Sequence, residues 1–447
     1  MTTAAAPITA ERAHFGWSAI VRVGVVQACI GALVVLITAT MNRVMVVELG
    51  LPATLAGGLV ALYYTIQLGL RPRMGHLADH SRALPRWIAG GIGILATGVT
   101  LAATALGFVA SAPALGYPLL VGAFLLVGLG ASTAGTLGLT LLSLRVAPAR
   151  HARAAAIAWL FLIVGFIVST IVAGKLLEPF SMEALRRTAL TIGGGCTVAA
   201  ILAMLGIERR VHVPAPRAAT GGGDFVQALR EVLADDVSRR FSVFVAMSMV
   251  AFAMQDLILE PFAGAVFGLS PADSTRISGV HQGGALVGML VTATLATRIG
   301  TVTSWARWGC IASGVALVAI ALAPLTASLA FLKGSLLALG IANGCFAIGA
   351  IGAMLGLAQR GGESRAGLRM GVFGAAQAIA QAGGALLGAV ASDATRALFG
   401  NDVLGYGSVF AIEAVAFVAA AALAGGVVAA EPRRDATTMD DLLAAGA

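Results

Sequence analysis

The chain runs again and again for about 20 residues with scarcely a charge, and that pattern leaves few choices of fold. A helix of roughly 20 apolar residues crosses the ~30 Å hydrocarbon core of a bilayer while satisfying its own backbone hydrogen bonds. Twelve such windows are legible, at approximately 23–47, 54–70, 87–108, 119–142, 154–173 and 188–207, then 241–262, 277–296, 305–322, 329–357, 370–390 and 406–428. The whole chain is 58% hydrophobic and 11% charged, with a mean hydropathy of +0.92, a balance at which a soluble domain would precipitate. The expected class is an all-α polytopic membrane protein of twelve transmembrane helices. Residues 1–19 are mixed in polarity and the first apolar run is long enough to stay in the membrane, so no cleavable leader is expected.

Six spans, a polar connection and six more spans suggest a duplication. The expected divisions are a terminal segment 1–22, a six-helix bundle 23–207, a linker 208–240, a second bundle 241–430 and a tail 431–447. The linker opens with a Pro- and Gly-rich stretch and then sets Phe225, Leu229, Val232, Leu233, Val237 and Phe241 at helical spacing after Asp224, which predicts an amphipathic helix on the membrane surface. Met41-Asn42-Arg43, Glu48 and Gly50-Leu51-Pro52 run parallel to Met254-Gln255-Asp256, Glu260 and Gly268-Leu269-Ser270-Pro271, so helices 1 and 7 read as counterparts.

Charge sets the expected orientation. With both termini cytoplasmic, the tails and the loops on their side hold 22 of the 29 basic residues, leaving seven opposite: Arg43, Lys175, Arg186, Arg187, Arg276, Lys333 and Arg396. The net charge of +8 is then a topology signal with attraction to the anionic lipid bilayer as its consequence, and it does not point to nucleic acid. No GxxxxGK[ST] loop is present to cradle a nucleotide, and no HExxH or clustered His/Cys arrangement to hold a catalytic metal. Cys29, Cys196, Cys310 and Cys345 fall in separate spans without metal-ligand spacing and read as small packing residues. A non-enzyme is expected.

The polar groups inside the spans are the candidate site, because an ionisable side chain at bilayer depth costs roughly 2.5–3.5 kcal/mol on insertion scales and is normally turned toward a cavity or partner. Asn42, Arg43 and Glu48 in helix 1 and Gln255, Asp256 and Glu260 in helix 7 form the main set. Asn343 in helix 10 and Glu413 in helix 12 are further examples, without an assigned partner. Glycines in helices 4 and 11, including Gly128, Gly130, Gly135 and Gly138, and Gly371, Gly374, Gly384 and Gly388 with Gln377 and Gln381, predict close helix packing.

After helix 2, Gly75-His76-Leu77-Ala78-Asp79 followed by Arg82 and Arg86 resembles the loop signature of the major facilitator superfamily, with His80 and Arg82 departing from its usual pattern. In that family Gly75, Asp79, Arg82 and Arg86 would form the cytoplasmic gating motif. Asn42 to Leu49, Arg71 to His76 and Gln255 to Phe262 resemble more narrowly the PucC and LhaA family, which includes a member associated with bacteriochlorophyll synthase. The resemblance implies a major facilitator fold of two pseudo-symmetric halves that handles bacteriochlorophyll or a late precursor as cargo. It implies light-harvesting polypeptides or bacteriochlorophyll synthase as partners, and the bacterial inner or intracytoplasmic membrane as location.

In a major facilitator fold helices 1, 4, 7 and 10 line the central cavity, so Arg43 is expected to pair with Asp256, with Glu48 and Glu260 lining a periplasm-side portal. The pair serves either the cavity or a simple lock between helices 1 and 7. A magnesium pigment needs an axial ligand, for which His281 is the one histidine near a span; a hydrogen-bonded interface residue is the other reading. An ion-coupled secondary transporter titrating Asp256, Glu260 and Glu48, and a pigment-free assembly scaffold, are the alternative functions.

Overall fold

The computed structural model describes residues 15–80, 83–146, 151–207, 236–296, 299–359 and 363–430. These residues form twelve long helices: α1 (Trp17–Glu48), α2 (Ala53–His80), α3 (Leu84–Ser111), α4 (Pro113–Arg145), α5 (His151–Leu176), α6 (Met182–Met204), α7 (Asp236–Phe267), α8 (Pro271–Leu295), α9 (Val302–Thr326), α10 (Leu329–Gln359), α11 (Glu363–Phe399) and α12 (Asp402–Ala430). The helix expected within 224–241 begins outside the described residues.

Two hydrophobic cores, one built mainly from α1–α6 and one from α7–α12, show the duplication in three dimensions. In the first half α3 packs on α4, α1 on α5, α2 on α4, and α6 on both α3 and α1. The second half repeats each pairing six helices later: α9 on α10, α7 on α11, α8 on α10, and α12 on both α9 and α7. The halves meet along α2 against α11 and α5 against α8, which a pseudo-twofold axis exchanges.

Small residues permit these approaches, as they must where lipid supplies no hydrophobic drive between helices. A Cβ on Gly31 would meet the Leu162 carbonyl, and one on Gly165 the Ala28 carbonyl, so α1 and α5 touch backbone to backbone. Gly384 against Val250 and Gly388 against Met254 do the same for α11 and α7, and Gly130 sits against the Leu95 backbone between α4 and α3. The close packing expected of Gly130, Gly384 and Gly388 is therefore present, whereas Gly135 and Gly138 face only side chains at ordinary contact distance. Gly371 and Gly374 lie on α11 where side-chain surroundings are not described.

The repeated glycines at the ends of α1 and α7 have a definite task. Gly50 and Gly268 take φ of 62° and 64°, a left-handed conformation that ends each helix without a Cβ clash. The next helix starts differently in each half. Ser270 caps its own helix α8, its Oγ accepting from Asp273 N at 3.1 Å. Helix α2 takes its cap from the other half: Asp393 near the end of α11 accepts from Ala53 N at 2.9 Å and from Thr54 N and Thr54 Oγ1 at 2.7 Å. Arg276 of α8 likewise pairs with Glu178 after α5. Both links lie on the face away from the chain termini and tie the halves together there.

Gly165→Leu is expected to destabilise the protein by about 1–3 kcal/mol, because overpacking would push α1 off α5. Gly58→Ala, where a Cβ meets nothing within 4 Å, is the neutral control. Thermal unfolding in detergent compares them. Asp393→Ala is expected to cost about 1–2 kcal/mol, as loss of an N-cap does. Amide hydrogen exchange at Ala53 and Thr54 should then be faster than in the parent, reporting the lost cap.

Candidate functional site

Helix α1 carries the first part of the site on an unusual backbone. Its hydrogen-bond register widens to π-type i→i+5 turns over Leu36–Met41 and again over Val44–Glu48, where Leu49 N closes on the Val44 carbonyl at 3.0 Å. In an α-helix residues five apart point some 140° away from each other. The wider turn instead stacks Glu48 over Arg43, and the two form an ion pair through Arg43 Nη1. Arg43 Nη2 donates to the Leu269 carbonyl just past the end of α7. The guanidinium lies against Gly264, whose missing side chain leaves the space it fills, and Arg43 is only 2% exposed.

This overturns the expected Arg43–Asp256 pair. Asp256 lies eight residues before Gly264 on α7, about 12 Å further along the helix, and makes no ion pair among the described residues. Asn42, beside Arg43, does bind α7, its Nδ2 donating to the Leu257 carbonyl. Glu260 is no portal residue either: it is 1% exposed, accepts a hydrogen bond from Ser278 Oγ of α8, and leaves Oε2 without a partner. Glu48, with a side chain 31% exposed, does reach the surface. Gln255 and Glu413 are wholly buried with their side-chain polar atoms unpartnered.

Asp256 faces a small chamber between the halves. Its walls are Val34, Val35, Thr38 and Ala39 of α1, Tyr64 of α2, Phe166 of α5, Asp256 and Leu259 of α7, and Ser278, His281 and Gln282 of α8. Among the described residues, none from helices 4 and 10, expected as cavity walls, lines it. Among the described lining residues Asp256 is the sole charged group, and the chamber holds about 70 Å³. Sites for drug-sized ligands begin at roughly 300 Å³, so this space suits water or a small ion and is far too small for a tetrapyrrole.

His281 belongs to the chamber, well inside α8 and not at its start, and is 4% exposed. Behind it Asn343 Nδ2 lies 3.2 Å from His281 Nε2, and Ser313 Oγ donates to Asn343 Oδ1 at 2.9 Å. Tyr64, Ser278, Gln282 and Ser313 were not legible as site residues, since hydroxyls and amides satisfied within a helix are common and unmarked. The Tyr63-Tyr64 doublet was the one available signal. Of the signature after helix 2, Gly75 and Asp79 fall in the last turns of a continuous α2 rather than a loop, Arg86 is exposed in the first turn of α3, and Arg82 lies outside the described residues. All four cysteines are free thiols. Among the described residues no cluster of His, Cys, Asp or Glu has metal-binding geometry.

Twelve helices in two interlocked, twofold-related halves around a central polar chamber define a multi-pass membrane protein of the major facilitator fold. The nucleoside transporter NupG superposes with a TM-score of 0.68 at 15% identity, over 92% of this chain and 98% of that one. A solved structure from the proton-dependent oligopeptide transporters gives 0.68 at 14% identity, over 92% and 98%. Those likenesses establish the fold. The profile described as PUCC protein matches residues 40–432, and the chain belongs to the PucC family. It is 44% identical over 418 residues to the bacteriochlorophyll synthase 44.5 kDa chain of Rhodobacter capsulatus, covering 93% of this chain and 96% of that one. Against Protein PucC of Cereibacter sphaeroides the identity is 30% over 420 residues, covering 88% of each.

The buried arginine gives an asymmetric prediction. Glu48→Ala leaves a guanidinium buried without its counter-charge and is expected to cost about 3 kcal/mol. Arg43→Met removes the charge and keeps much of the volume, leaving a Glu48 that reaches solvent, and should cost less. Unfolding of the two variants in the same detergent tests the order.

Proposed function

We propose that this protein is a bacteriochlorophyll-handling membrane factor that works beside bacteriochlorophyll synthase, presenting pigment late in its synthesis or during light-harvesting complex assembly. The observation that carries the reading is the 44% identity, along nearly the full length of both chains, to a protein named as a chain of that synthase. On this reading the partner performs prenyl transfer and this chain supplies no catalytic group. Its place is the bacterial inner or intracytoplasmic membrane, with both termini cytoplasmic as the basic residues favour. The chamber holds only small polar occupants, so the pigment meets the protein from the bilayer, at its lipid-facing surface.

One observation favours a second reading. A lone carboxyl in a polar chamber between two halves of this fold suits an ion-coupled transporter, with Asp256 as the titrating group. Solute uptake into proteoliposomes with and without a pH gradient separates that reading from the first.

The test of the first is a near-infrared absorption spectrum, with pigment extraction and mass analysis, of the protein purified in mild detergent from a phototrophic host. Stoichiometric bacteriochlorophyll or a late precursor is the expected result. Its reproducible absence from folded protein, with partners still bound, would replace pigment handling by a pigment-free scaffold.

A further inference from the structure

The chain His281, Asn343, Ser313 runs from the chamber into the second half across three helices, and the glycines explain why it can. Gly284 and Gly288 of α8 interleave with Gly340 and Gly344 of α10, each lying against the other helix's backbone, Gly340 against the carbonyl of His281 itself. Gly309 of α9 and Gly349 of α10 make the same approach between α9 and α10. These contacts bring α8, α10 and α9 close enough for short side chains to bond directly in a layer where all three polar residues are buried: Ser313 at 0%, Asn343 at 2% and His281 at 4% exposure.

Asn343 joins the other two residues through the two ends of its amide. Asn343 turns Oδ1 toward the Ser313 hydroxyl, which donates to it, and Nδ2 toward His281. An amide nitrogen only donates, so Nε2 of the imidazole must accept, and the proton of a neutral ring then sits on Nδ1. We propose that Asn343, held by Ser313, is a positioning residue that fixes His281 as the Nδ1–H tautomer, making it a hydrogen-bond donor to the chamber and not an axial ligand for a magnesium pigment. The lone pair that would bind magnesium is already engaged at Nε2, and the other nitrogen carries the proton. The chamber volume agrees, since a chlorin ring does not fit there. With the His281 donor and the Asp256 carboxyl on its walls, the chamber suits a small hydroxylic occupant such as water, which accepts from one and donates to the other.

The inference is independent of the pigment reading and is tested separately from it. Nitrogen-15 spectra of histidine-labelled full-length protein in nanodiscs, with the His281 signal assigned by its loss in His281→Gln, report the tautomer directly. The expected result is Nδ1–H in the parent. In Asn343→Asp, whose carboxylate only accepts, the proton should move to Nε2; in Asn343→Leu the ring should lose its single tautomer. An Nε2–H ring in the parent, or a tautomer unmoved by Asn343→Asp in folded protein, would overturn the proposal. In pigment-bearing preparations His281→Gln is expected to keep the pigment content and spectrum of the parent, and loss of the pigment from folded variant would overturn the exclusion of magnesium ligation. Should no pigment accompany the parent, the handling function fails while the tautomer measurement still decides this inference.

Discussion

A guanidinium buried inside a membrane protein has to be compensated on the spot, and the arrangement around Arg43 shows how much structure that requirement organises. Glu48 supplies the charge, the Leu269 carbonyl supplies an acceptor from the second half, and Gly264 supplies the space. None of the three substitutes for another, because an unpaired charge in a low-dielectric interior is more costly than the helix distortion that pairs it. The π-type turns of α1 are that distortion: they bring a residue five positions away over the arginine. The same contact couples the end of α1 to the end of α7, the two helices whose sequences repeat one another.

Around that contact the face away from the chain termini is closed by links that each cross between halves. Asp393 caps α2 and Arg276 pairs with Glu178 there, while Asn42 holds the α7 backbone further in, at the Leu257 carbonyl. Every link joins a side chain of one half to a helix end, carboxylate or carbonyl of the other. Helix termini leave backbone groups unsatisfied, and here the duplicated halves satisfy one another's. The chamber lies deeper, between α1, α2, α5, α7 and α8, with Asp256 in its wall and the histidine relay behind it. In this chain the chamber described between the two halves of the major facilitator fold has room for little more than water.

The twelve spans, the duplication and the equivalence of α1 with α7 were all determined by the sequence, because each rests on local hydrophobicity or on a pattern repeated along the chain. Gly384 and Gly388 also announced their packing role, since only a residue without a side chain allows two helix backbones to touch. The intramembrane positions Arg43, Asp256, Glu260 and His281 stood out for the cost of burying them. Their partners did not. Pairing Arg43 with Asp256 rested on helices 1 and 7 lining one cavity; the π-type turn at the end of α1 instead brings Glu48 over Arg43. Asp393 gave no sign of capping a helix 340 positions away, and Asn343 gave none of facing His281, because both contacts depend on how far apart glycines allow separate helices to stand. Sequence determined which segments enter the membrane and which groups would be expensive there; tertiary structure alone decided which of those groups meet, since that follows from distances between helices that no local pattern encodes.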